Sequence, residues 1–130
     1  MCDLDYFKIV NDTYGHIAGD TMLKHFVSIV QKNIRNSDVI IRYGGEEFIL
    51  MLPAICESKG LDILNKIRLE FEQTTITFKD QTIQTTVSIG MMELKPQKYY
   101  KKIYLNDYID IVDQKLYQAK NNGRNRVEVF

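Results

Sequence analysis

Gly44-Gly45-Glu46-Glu47-Phe48 stands between two apolar runs, Val39-Ile40-Ile41 and Phe48-Ile49-Leu50-Met51-Leu52. Two glycines between β-rich runs mark a tight hairpin, because primed turns need positive φ. The pattern predicts a hairpin over about residues 39–52, ended by Pro53, with two adjacent carboxylates directly after a turn that carries no side chains. A bare backbone lets a bulky anion approach closely, and a carboxylate beside it can hold the magnesium such an anion brings. The stretch reads as a nucleotide site.

The remaining pattern builds a fold around that hairpin. Met1-Cys2-Asp3-Leu4 looks like the last residues of a strand, so the sequence is expected to begin inside a domain. Phe7, Val10 and Tyr14 share one face of a short helix, which Gly15 is placed to stop. A longer helix is predicted from about Ala18 to Arg35, with Leu23, Phe26, Val27, Val30 and Ile34 as its apolar face. Leu61, Leu64, Ile67 and Phe71 mark a third helix. Thr74 to Phe78 and Thr82 to Met91 read as two strands joined by Lys79-Asp80-Gln81, a second hairpin. Asn106 or Asp107 can cap a last helix with Ile109, Val112, Leu116 and Ala119 inward; Gly123 ends it, and Arg126 to Phe130 form a final strand. The order implies an α+β fold, an α/β sandwich with helices covering a largely antiparallel sheet.

Length and charge bound the function. The 130 residues suit one domain able to bury a real core. Seventeen basic residues balance 17 acidic ones, which argues against a surface that coats polyanions. Bases and aromatics do interleave at Tyr99-Tyr100-Lys101-Lys102-Ile103-Tyr104, but without net positive charge a plain surface loop explains them better than stacking on nucleic acid. Cys2 and Cys56 fit no metal-ligand spacing and are expected to be buried free thiols. No apolar run approaches the ~18–20 residues of a membrane span. A cytoplasmic domain is expected.

Several polar residues gain meaning from their neighbours. Asp3 leaves the first strand; if that strand lies beside the hairpin, Asp3 and Glu46 converge on a shared cation. Asp5 is expected to cap the first helix. Lys8, Lys120 and Arg124 are ordinary surface charges singly, and a phosphate-binding set only together. Asn11, His16 and Asp20 lie at the bend between the first two helices. They are either helix punctuation or a purine-reading set, since a carboxylate accepts from both guanine N1–H and its amine.

Asp3-Leu4-Asp5-Tyr6-Phe7-Lys8, Asn11-Asp12, Gly15-His16 and Gly19-Asp20 resemble, in order and spacing, the opening of a GGDEF domain. Arg42-Tyr43-Gly44-Gly45-Glu46-Glu47-Phe48 resembles its signature hairpin, while Val87-Ser88-Ile89-Gly90 and Leu116 to Lys120 through Gly123-Arg124-Asn125 resemble its later motifs. The resemblance implies a single GGDEF domain over 1–130, palm-like and similar to the nucleotide cyclases. It would lack a first helix and much of the first strand. The activity implied is that of a diguanylate cyclase, joining two GTP into cyclic di-GMP with release of two pyrophosphates.

By position, Asp3, the Leu4 carbonyl and Glu46 would hold Mg²⁺ or Mn²⁺, and Glu46 or Glu47 would help deprotonate the attacking 3′-hydroxyl. Asn11 and Asp20 would hold guanine with His16 close by. Tyr6, Phe7, Gly44 and Gly45 would line the substrate, and Lys8, Lys120 and Arg124 would contact phosphates. Lys8 would also count among the catalytic groups by stabilising the transition state. Arg35 and Asp38, an Arg-x-x-Asp ahead of the hairpin, would bind product and inhibit. The family pattern also implies a homodimer for catalysis and an N-terminal sensor or regulatory domain in a longer parent, which could be membrane-anchored. The alternative from another class is a non-catalytic module that binds GTP or cyclic di-GMP.

Overall fold

The computed structural model describes residues 1–94 and 104–130. Most of the Tyr99–Tyr104 stretch singled out above lies outside the described residues. The elements run β1 (Cys2–Leu4), α1 (Phe7–Tyr14), α2 (His16–Asn33), β2 (Val39–Gly44), β3 (Glu47–Met51), α3 (Glu57–Gln73), β4 (Ile76–Phe78), β5 (Gln81–Ile83), β6 (Val87–Met91), α4 (Leu105–Asn121) and β7 (Val127–Val129). Five strands form one sheet in the order β2-β3-β1-β6-β7, antiparallel except for the β6–β7 pair. The mixed, mainly antiparallel α+β architecture agrees with the sequence reading.

Alternation in the strands sorts residues between two helical layers. Leu4, Phe48, Val87 and Ile89 join Phe26 and Val30 of α2 and Leu64, Ile67 and Phe71 of α3 in one buried cluster. Phe26 is its hub, with ring centroids 5.2 Å from both Phe48 and Phe71; such tilted and edge-on pairs add to the gain from burying their area. The opposite face carries Asp3, Ser88 and Gly90. There α4 packs so closely on β6 that Gly90 lies against the helix backbone at Val112 and Leu116.

Four expectations need correction. The run Thr82–Met91 is two strands: β5 pairs with β4 in a separate two-stranded sheet, and only Val87–Met91 enters the main one. The turn of that small hairpin is Lys79-Asp80, both at positive φ (48° and 62°). Second, α2 begins at His16 and ends at Asn33, two residues earlier at each end than predicted, so Ile34 caps it instead of packing within it. Third, α4 begins at Leu105; Asp107 accepts the Tyr104 N–H at 2.9 Å from inside the first turn rather than from the cap position. Fourth, Cys2 is buried but Cys56 is exposed.

Candidate active site

Antiparallel pairing of β1 with β3 places Asp3 opposite Glu47, and the Leu4 N–H reaches the Glu46 carbonyl at 3.4 Å. The first strand and the signature hairpin are therefore neighbours, as the convergence of Asp3 and Glu46 requires. Gly44 ends β2 and pairs with Glu47 after an irregularity in register, so the turn itself is Gly45-Glu46. Glu46 thus lies in the turn rather than after it, and only Glu47 belongs to the strand. Arg42 clamps this turn by donating from Nε and Nη2 to the Gly45 carbonyl at 2.9 and 2.8 Å. A Cβ on Gly45 would meet nothing within 4 Å. Gly45 therefore presents open backbone.

Charge is concentrated beside that turn. Asp3 is only 6% exposed, and Lys120 of α4 pairs with its Oδ2 at 2.8 Å. Burial pushes the Asp3 carboxyl above the usual carboxylate range; Lys120 pulls it back, and the Glu46 and Glu47 carboxylates push it up again. Three carboxylates against one ammonium leave a local excess of negative charge. Among the described residues no group of three His, Cys, Asp or Glu side chains could hold a metal ion. Asp3, Glu46 and a backbone carbonyl nevertheless fit Mg²⁺, which usually takes one or two carboxylates and completes its shell with water and phosphate oxygens.

Next to this cluster α1 starts with no side-chain cap and no acidic residue in its first turn. Its first N–H groups, at Phe7 and Lys8, stand at the positive end of the helix dipole, an arrangement suited to anions. The Phe7 side chain is buried in the core, so only its backbone faces this region; the Lys8 side chain is exposed. Asp5 does not cap α1. It is 2% exposed, and its carboxylate accepts hydrogen bonds from Thr86 Oγ1, Ser88 Oγ and the Asn125 N–H. The cap position belongs to Tyr6 at φ 56°. Arg124 lies over the Tyr6 ring, 4.7 Å from its centroid, and so joins Lys120 on the same side of the molecule.

The α1–α2 corner brings another pair together. A Cβ at Gly19 would fall 2.0 Å from Asn11 Oδ1. The absence of a side chain there lets Asn11 of α1 lie directly on α2 at Gly19, the residue before the exposed Asp20. His16 is the exposed first residue of α2. Arg35 and Asp38 are adjacent but engaged with each other through the backbone: Asp38, 8% exposed, accepts the Arg35 N–H at 2.8 Å and the Ser37 hydroxyl at 3.4 Å.

The chain matches the family model described as diguanylate cyclase, GGDEF domain, over residues 1–126. It belongs to the GGDEF family. Diguanylate cyclase A of Treponema denticola is 39% identical over 127 residues, which cover 98% of this chain and 33% of that protein. The GGDEF domain of DgcB from Caulobacter crescentus, solved in complex with c-di-GMP, superposes with a TM-score of 0.88 at 31% identity, covering 98% of this chain and 74% of that one. The active GGEEF domain of a diguanylate cyclase from Vibrio cholerae superposes with a TM-score of 0.86 at 29% identity, covering 99% of this chain and 79% of that one. The same Gly-Gly-Glu-Glu-Phe form stands at residues 44–48 here. The GGDEF chain described here spans a third or less of the curated relatives it matches. Among the described residues no helix is long and apolar enough to cross a membrane.

Proposed function

We propose that this GGDEF domain is one half of a diguanylate cyclase active site. The observation that carries the reading is the meeting of Asp3 and Lys120 with the Gly45-Glu46 turn, beside the uncapped start of α1. The 3′-oxygen of one GTP would attack the α-phosphorus of another and displace pyrophosphate. A second such step, with the roles exchanged, closes the ring. Asp3, the Leu4 carbonyl and Glu46 would hold Mg²⁺ or Mn²⁺, which when bound lowers the pKa of the attacking hydroxyl and neutralises phosphate charge. Glu46 or Glu47 would accept the hydroxyl proton.

Asn11 and Asp20 would read the guanine edge with His16 beside them, supported by the close seating of Asn11 on Gly19. Gly44 and Gly45 would admit the substrate against bare backbone. The first N–H groups of α1, next to Tyr6 and Phe7, would hold phosphate oxygens with Lys8, Lys120 and Arg124. Lys8 would also stabilise charge in the transition state. Each copy supplies one GTP, so two copies must face each other, and the proposed partner is a second copy of the domain. The nucleotide ligands place this reading in the cytoplasm. Incubation with GTP and Mg²⁺ should yield cyclic di-GMP by mass spectrometry, with a rate per chain that rises with protein concentration. Folded, concentrated protein that forms none would refute the cyclase.

Arg35 and Asp38 would form the inhibitory product site. Asp38 is partly committed to its own turn, while the Arg35 guanidinium can fork onto a phosphate or a guanine edge. Arg35→Ala should weaken cyclic di-GMP binding about tenfold by calorimetry, with the initial rate of GTP turnover unchanged. Equal affinity in the two proteins would remove Arg35 from that site.

A further inference from the structure

Asp5 is a buried carboxylate whose hydrogen-bond partners among the described residues are all neutral: Thr86 Oγ1 at 2.6 Å, Ser88 Oγ at 2.7 Å and the Asn125 N–H at 3.2 Å. Its backbone carbonyl accepts the Thr85 hydroxyl as well. Burying a carboxylate with no cation beside it among the described residues is costly, so what this group holds in place matters. It holds the turn that follows α4. There Arg124 and Asn125 are consecutive left-handed residues, at φ 62° and 47°. Such a conformation is unfavourable for an L-residue such as arginine and persists only where its surroundings over-determine it.

Three contacts do so. The Arg124 N–H donates to the Ala119 carbonyl at 2.9 Å. Asn125 gives its N–H to Asp5 and accepts Arg68 Nη1 on Oδ1 at 3.0 Å. Arg68, on α3, is itself held by Glu72 at 3.1 Å and by Asn65 at 3.4 Å. The product of this clasp is the pose of Arg124 over the Tyr6 ring, 4.7 Å away. Tyr6 directly follows Asp5 and is also left-handed, so Asp5 braces both members of the stack.

We propose that Asp5 and Arg68 are positioning residues that act through Asn125 to fix the guanidinium of Arg124 at the phosphate end of the nucleotide site. The inference rests on the reading of Arg124 as a phosphate ligand. An arginine ordered in advance loses less rotamer freedom on binding. Released from the clasp, the turn can relax to right-handed φ and carry Arg124 away, and small displacements of a binding group are expensive.

The test is a double-mutant cycle read as the affinity for 3′-deoxy-GTP with Mg²⁺, a nucleotide that lacks the attacking hydroxyl. Arg124→Ala should weaken binding about tenfold or more. Arg68→Met should weaken it about three- to tenfold, and Arg68→Met added to Arg124→Ala should change it by less than about twofold. Asn125→Gly, which keeps the left-handed turn but loses the Arg68 contact, repeats the comparison should Arg68→Met fold poorly. An Arg68→Met or Asn125→Gly effect that multiplies fully with Arg124→Ala overturns the inference, and so does no effect where Arg124→Ala has one. If Arg124→Ala leaves affinity unchanged, or the parent does not bind, the reading of the phosphate site fails and takes the inference with it.

Discussion

Glu46→Ala is expected to abolish formation of cyclic di-GMP, lowering the rate by at least about 100-fold, while thermal unfolding stays where it was or moves slightly up. Both halves follow from the position of Glu46. It sits in the two-residue turn beside Asp3, and its negative charge is one of the causes that raise the Asp3 carboxyl. Like charges gathered at a site cost stability and are kept where the chemistry uses them. Removing one relieves the repulsion and removes a ligand and candidate base in the same step. Glu46→Gln should fail as Glu46→Ala does, because the carboxylate rather than the volume is needed, and Glu46→Asp should keep measurable turnover. Product measured by mass spectrometry beside a melting curve separates the two effects. Full activity in Glu46→Gln would exclude any role of that charge in catalysis.

The parts of this site that were legible in the sequence are those whose signals are local. Gly44-Gly45 announced a turn, and the apolar runs on either side announced its strands. Asp3 falls beside the hairpin if the first strand is the hairpin's neighbour, and β1 does pair with β3. The helices followed from their period, with errors confined to ends such as those of α2, where Gly15 admits a start two residues early.

Asp5 was misread because an Asp before a helix is a good cap on local grounds, whereas the groups that claim it lie 81, 83 and 120 residues away. The same distant partners explain the misread strand. Thr85 and Thr86 are β-branched and continue the strand pattern, but their hydroxyls turn to Asp5, and the ladder breaks there. Arg68 and Asn125 carried no signal of their meeting: one sits on a helix and the other in a turn 57 residues later. The motif blocks containing Ser88 and Asn125 were visible, and the physical reason for both became visible only with Asp5. Cys56, exposed against expectation, stands just before α3, where no periodic pattern reports which way a side chain faces.

Gly90→Ala is the substitution expected to cost the fold most. A Cβ there would lie 2.1 Å from the Val112 carbonyl oxygen, 2.4 Å from the Leu116 nitrogen and 3.0 Å from the Lys115 carbonyl carbon. All three are backbone atoms of α4, so no side chain can swing aside and the helix itself must lift from β6. Overpacking usually costs about 1–3 kcal/mol, and a backbone clash belongs at or above the top of that range. For a domain of this size it corresponds to a fall of roughly 10–15 °C in melting temperature. The site suffers with the fold, because α4 carries Lys120 to Asp3 and leads into the turn of Arg124. Nucleotide affinity should therefore drop even at temperatures where the variant stays folded. Gly60→Ala is the matched control. Its Cβ would come within 2.6 Å of Met91 Cε alone, the end of a flexible side chain, and alanine is favoured over glycine inside a helix by about 1 kcal/mol. That variant should melt at or near the parent temperature. Equal losses in the two variants would show that the close contact of α4 with β6 is not what makes glycine necessary at position 90.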